Sequence, residues 1–350
     1  MFLRITAISV LVSTFVSAQA DLPLPEDATK AILAAFDKYE VVGVHSSHGS
    51  KDVDDYILSL IGDPAFPGKV NDIVVECGNS MYQGILDRYI SGEDVPRTEV
   101  QQVWRNTTQL MCSLSGFYEQ LFPLVRRMNQ KLPAQKRMRV LAADPAFDWS
   151  KVKSGEDIPR DRDSSTVSVM IKEVLGKKRK ALMLFGLMHL LHGLPTNPPR
   201  AEMPMRATAV TLYEQSYPGV TFVVIPHRGF GTYTNRDAEN GELEARMKSW
   251  QKPSLISISG TWLGDLGISY FFQVPETWKG RPLSGFADAY LYLGLRDSLS
   301  HESTPSSILD DKAYVDELRR RAALGGSSFS RFDVDAIRKA DANPHFYPPH

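Results

Sequence analysis

Five consecutive apolar residues, Ala181 to Phe185, constrain this chain more than any other stretch. The charged run from Lys177 to Lys180 precedes them and Gly186 follows. A run so short and so apolar reads as a strand buried on both faces, the condition of a parallel sheet covered by helices. Comparable runs lie at Val41–Val44, Asp72–Cys77, Met138–Asp144 and Thr221–Pro226, and Ser254–Ser259 and Ala287–Leu293 read as further strands. Amphipathic helical patterns separate the earlier runs, at Pro23–Tyr39, Asp52–Ile61, Asn79–Tyr89, Glu99–Leu114, Phe117–Asn129 and Arg162–Leu175. Strands alternating with helices predict an α/β fold: a mostly parallel, doubly wound sheet flanked by helices.

The ends of the chain read differently. Met1 to Arg4 is a short basic start, Ile5 to Val16 is apolar, and Ser17-Ala-Gln-Ala20 closes on an A-x-A pattern. These three parts make a secretory signal peptide over residues 1–20, so the mature chain is expected from Asp21, in the periplasm or secreted. No later segment is apolar for long enough to cross a bilayer as a helix. Residues 21–330 read as one α/β domain. The stretch 331–350, ending in NPHFYPPH, reads as a poorly ordered tail. A net charge of −1 gives no electrostatic case for nucleic acid as a partner. The two cysteines, Cys77 and Cys112, could pair in an oxidising compartment or stay as buried thiols.

A parallel sheet brings its carboxyl ends to one edge, where ligands of open α/β sheets bind. The predicted strand ends carry His45 and His48, Glu76, Asp144, His189 and His192, and His227. Arg162 and Asp163 open the helix before the central strand. A single histidine after a strand is more often a satisfied structural group. Recurrence at five strand ends shifts the balance toward a site. Glu76 stands late in an apolar strand, where a charge must be paired or functional.

Histidine moves protons near neutral pH, and a carboxylate beside it orients the ring. Arg162 can stabilise an oxyanion. The set therefore suits hydrolysis by activated water, with His48, Glu76, Asp144, Arg162 and His189 as the catalytic group. His48 or His189 would activate the water. His45, Asp163, His192 and His227 are candidates for contact with a small-molecule substrate. Zinc or manganese is the competing chemistry, since histidine and carboxylate ligands suit both. The sequence contains no H-E-x-x-H, G-x-S-x-G or Gly-rich phosphate loop, which disfavours a serine hydrolase or a nucleotide enzyme.

At these residues the chain resembles the erythromycin esterase-like, ChaN and Tiki superfamily. The matching segments are HSSHGSKDVDDYI at 45–57, DIVVECGNSMYQGILDRY at 72–89, RVLAADP at 139–145, RDRDSSTVSVMIKEVL at 160–175 and ALMLFGLMHLLHG at 181–193. The resemblance implies an α/β core with the site at the strand ends. It implies His48 as the general base of the esterase branch, Glu76 as its second-strand acid, His189 and His192 as its later histidines, and Arg162 as an anion partner. One departure stands out. The family's first loop carries a Gly-Glu pair before its histidine, whereas this chain has Val44-His45-Ser46. The missing carboxylate weighs against an esterase of the usual pattern and against a metal held through it. Other branches bind haem or are metal-dependent proteases.

Three expectations result. The first is an exported hydrolase of an ester or similar bond that requires no cofactor. The second is a binding protein for haem or another planar ligand. The third is a member that has lost catalysis.

Overall fold

The computed structural model describes residues 24–46, 49–194, 207–228, 237–271, 274, 276–325 and 333–343. The signal-peptide reading and His48 lie outside these residues, as does the Pro-rich connection 195–206.

Eight strands form one sheet: β1 (Glu26–Asp27), β2 (Val41–His45), β3 (Asp72–Asn79), β4 (Arg139–Asp144), β5 (Ala181–Phe185), β6 (Thr221–Pro226), β7 (Ser254–Ser257) and β8 (Ala289–Tyr292). Their order is β1-β7-β8-β6-β2-β5-β3-β4. The six strands from β8 to β4 run parallel, and β7 pairs antiparallel with both β8 and β1. The α/β class and the mostly parallel sheet expected from the sequence are both present.

Alternation along each strand divides the core in two. Val42, Val44, Ile73, Val75, Leu182 and Leu184 point into one apolar layer, with the helices Lys51–Gly62 and Phe117–Gln130. Val41, Val74, Ala181, Met183 and Phe185 point into the other, with Met170, Val174 and Tyr213. All five residues of β5 are buried. Burying Leu or Val side chains on both faces is worth about 1.5–3 kcal/mol each, which explains the apolar run that first marked this strand.

The β3–β4 pairing shifts register between Val75 and Asn79. Gly78 lies in that irregular stretch, and a Cβ there would come within 2.9 Å of the Ala142 Cα. Only glycine lets the two backbones approach so closely. The irregularity covers Glu76 and Cys77, the polar end of an otherwise apolar strand.

Cys77 and Cys112 form a disulfide, which decides between the two readings left open by the sequence. It ties the end of β3 to the segment Leu110–Ser113 across 35 residues. Replacing both cysteines by serine is expected to cost about 2–4 kcal/mol, as for loops of this length. Urea unfolding of the oxidised protein beside the double variant measures it. Equal midpoints would show that the bond contributes nothing to stability.

Two departures concern the termini of elements. The helix expected over Arg162–Leu175 is α-helical only over Arg162–Val169, and a π-helical turn, Met170–Val174, follows. Within the stretch read as a tail, Val334–Asp341 form a helix. Asp333 caps it by accepting from the Asp335 and Ala336 amides, and Asp341 accepts from the Thr304 amide at 3.1 Å.

Candidate functional site

The carboxyl ends of β2, β5, β3 and β4 are neighbours in the sheet, and the polar residues gather there. Glu76 is the hub. Its Oε1 accepts from Arg162 Nη1 at 2.8 Å, and its Oε2 accepts from the Gly186 amide, where β5 ends. His189 Nε2 lies 3.4 Å from the same Oε1. Arg162 Nε donates to Asp144 Oδ1 at 2.7 Å, so one guanidinium spans the acidic ends of two adjacent strands. Asp144 also accepts from the Thr108 amide at 2.7 Å and the Thr108 hydroxyl at 2.9 Å. Burial pushes the Asp144 carboxyl up, against the opposing pull of Arg162 and Thr108.

His189 is held from both sides. Its Nδ1 lies 2.7 Å from Asp163 Oδ1, an oxygen that also accepts from the Ala209 amide at 3.1 Å. Asp163 and Arg162 are consecutive at the start of their helix, so one helical turn positions both partners of Glu76 and His189. Burial alone would lower the basicity of His189. Glu76 and Asp163 outweigh it and raise its pKa to about 9. The imidazole is therefore protonated at neutral pH. In that form it can donate a proton, the acid half of the role the sequence left open for it.

A cavity of about 240 Å³ is lined among others by Ser46, Gly49, Phe117, His301, Ile337 and Cys77, the residue after Glu76, but by none of Glu76, Asp144, Arg162 and His189. Ser46 and Gly49, which lie on either side of His48 in the sequence, both line this cavity. Ser50 forms an isolated bridge with His301, which fixes the loop's end against a segment some 250 residues on.

The other sequence candidates divide. His45 ends β2 beside Phe185, with Nδ1 3.4 Å from its carbonyl oxygen. It stands at the correct edge, packed between strand ends. His192 does not belong to this edge. Its Nε2 is 3.0 Å from Asp288 and its Nδ1 3.3 Å from Glu214. Asp288 immediately precedes β8, and Glu214 accepts from the amide of Thr221, the first residue of β6. His192 is thus an ion-paired histidine at the amino ends of the strands, with its pKa also raised to about 9: burial lowers it, and Asp288 and Glu214 more than restore it. A substrate contact there is not compatible with a site at the opposite edge. His227 follows β6 as expected, but it is fully enclosed. Its ring nitrogens meet the Tyr290 hydroxyl at 2.9 Å and Glu244 at 3.1 Å, a structural role.

The sequence reading missed four residues near the cavity: Asp54, Tyr118, His301 and Glu302. Asp54 is one turn into a helix, where an acidic residue is ordinary. The region around Glu302 lacks periodicity, so nothing local marked it. No cluster of three or more histidine, cysteine or acidic side chains suited to a metal ion occurs among the described residues.

No protein-family model matches the chain, and no curated protein is significantly similar to it. Solved structures are similar to it. A Bacillus cereus protein from a structural genomics programme aligns at 10% identity and a TM-score of 0.53, over 81% of this chain and 97% of its own. A succinoglycan biosynthesis protein aligns at 9% identity and a TM-score of 0.54, over 78% of this chain and 94% of its own. The fold is shared with both. ChaN of Campylobacter jejuni, whose structure shows cofacial haem binding, aligns at 11% identity over 57% of this chain and 85% of its own. Its TM-score of 0.32 carries no inference for this chain. No helix among the described residues is long and apolar enough to cross a membrane.

Proposed function

We propose that this chain is an exported hydrolase of an ester or similar bond in a small molecule. The observation that carries the reading is the convergence of Arg162, the Gly186 amide and a protonated His189 on Glu76. In this reading Arg162 holds Glu76 and Asp144 in place. Glu76 orients the attacking water, His48 takes its proton, and His189 gives a proton to the leaving oxygen. His189 can supply that proton at neutral pH because Glu76 and Asp163 keep it charged. Export is supported by the signal-peptide pattern and by the disulfide, which persists in oxidising compartments.

The test is hydrolysis of a panel of chromogenic esters by the protein from Asp21 onward, with and without zinc or manganese. Glu76→Gln and His48→Ala are each expected to lose about 10²–10⁴-fold in kcat/KM. Turnover that survives both substitutions, or no turnover of any ester, would sink the reading. In the second case a Soret band on adding haem would favour a planar-ligand binding protein instead.

A further inference from the structure

The cavity lined by Ser46 and Cys77 meets a second one, of about 590 Å³, and Asp54, Tyr118 and Glu302 line both. The larger cavity has an aromatic and aliphatic wall that includes Trp104, Val100, Phe122 and Pro123. The two carboxylates at the junction are served unequally. Glu302 accepts from the Ser115 hydroxyl at 3.1 and 3.2 Å and from the Gly116 and Phe117 amides. Asp54 is 8% exposed, and its carboxylate has no hydrogen-bond donor among the described residues. A second group nearby is also unmatched. Ser46 Oγ, on a residue 5% exposed, has no partner among the described residues and lines the same cavity as Asp54. A buried hydroxyl is normally satisfied, so Ser46 marks a place at this cavity where a ligand's polar group belongs.

The surrounding charge selects the sign of that group. The basic side chains nearby have partners of their own: Lys51 pairs with Asp55, Arg97 with Glu119, and the His301 ring lies against the Glu302 carbonyl oxygen. Asp54 and Glu302 repel each other, and burial with that repulsion raises the proton affinity of Asp54. An ammonium group satisfies both carboxylates and attracts the face of an aromatic ring such as Tyr118. An anion or a neutral ether does neither.

We propose that Asp54 and Glu302 form a subsite for the ammonium group of a ligand whose apolar part occupies the cavity lined by Trp104 and Phe122. This deepens the hydrolase reading by naming a substrate class, esters that carry a cationic amine, and it rests on that reading only for the ester. Binding of the amine stands on its own.

The probes are hexylammonium, hexan-1-ol and hexanesulfonate, titrated calorimetrically into the intact protein from Asp21. The cation is expected to bind at least tenfold more tightly than the alcohol, and the sulfonate not at all. Asp54→Asn and Glu302→Gln should each weaken the cation at least tenfold while leaving the alcohol unchanged. A cation that binds no better than hexan-1-ol in the wild-type protein overturns the subsite, whether or not the variants fold. So does a folded Asp54→Asn protein with unchanged affinity. Loss of ester turnover in His189→Gln with cation binding intact separates the two readings. Cation binding in a protein that hydrolyses no ester would leave the subsite standing and remove the hydrolase.

Discussion

Replacing Arg162 by leucine is expected to destabilise the protein by about 3–5 kcal/mol at pH 7, the cost of leaving buried charges without their partner. Glu76 is 3% exposed and Asp144 is 1% exposed, and the guanidinium is an ion partner of both. Asp144 would keep Thr108, and Glu76 would keep the Gly186 amide and the neighbouring His189, but neither carboxylate would keep its arginine. Lysine should rescue little. An ammonium is a point charge, while Arg162 uses Nε for one strand end and Nη1 for the next. Adding Asp144→Asn or Glu76→Gln to the leucine variant should recover part of the loss, because a neutral amide is cheaper to bury than an ion. The penalty should also shrink in acid, where the carboxyls protonate; burial already pushes Asp144 in that direction. Urea denaturation of the wild type and these four variants between pH 4 and 7 measures these differences. A loss under about 1 kcal/mol at pH 7 would mean that water reaches the carboxylates and that the network is not buried in solution.

This prediction begins in the sequence. Glu76 was legible as a charge too deep in a strand to stand alone, and the parallel sheet was legible from five short apolar runs. Together they put Glu76, Asp144 and the residues after β5 at one edge, where the structure has them. The identity of the partner was harder. Arg162 was read as a partner for an oxyanion and not for Glu76, because a helix terminus says nothing about which strand it abuts. His192 shows the opposite error. Its place after the same strand end as His189 made it a candidate for substrate contact, but the chain doubles back after Gly186. Leu190 packs onto Gly43 of β2, where a Cβ would come within 2.9 Å of its Cδ2. Three residues therefore carry the backbone from one edge of the sheet toward the other, and periodicity does not record such a reversal. Asp54 and Glu302 were illegible for a different reason. They are 248 positions apart, and each is ordinary in its own surroundings.

His189 and His192 provide a paired experiment, because the same electrostatics act on them at opposite edges of the sheet. Each has its pKa raised from 6.5 to about 9 in the folded protein. A raised folded value means that the native state holds a proton the unfolded chain releases. The resulting stabilisation is complete below about pH 6.5 and is lost as pH rises through about 9, on the order of 3 kcal/mol per group by linkage. Substituting either histidine by glutamine should therefore flatten the fall in stability between pH 6.5 and 9, as read from urea midpoints across that range. Turnover should distinguish them. His189 is 3.4 Å from Glu76 and can deliver a proton to a leaving group, so His189→Gln is expected to lower kcat/KM about 10²–10⁴-fold and to remove the decline of wild-type activity above pH 9. His192 is bound to Asp288 and Glu214 at the amino ends of β6 and β8, so His192→Gln should lose stability and keep its pH–rate profile. Wild-type activity that rises through pH 9 would make the neutral imidazole the working form and turn His189 from acid into base. Equal loss of turnover in both variants would show that the effect travels through folding, and the acid would have to be sought elsewhere along the edge that carries Glu76.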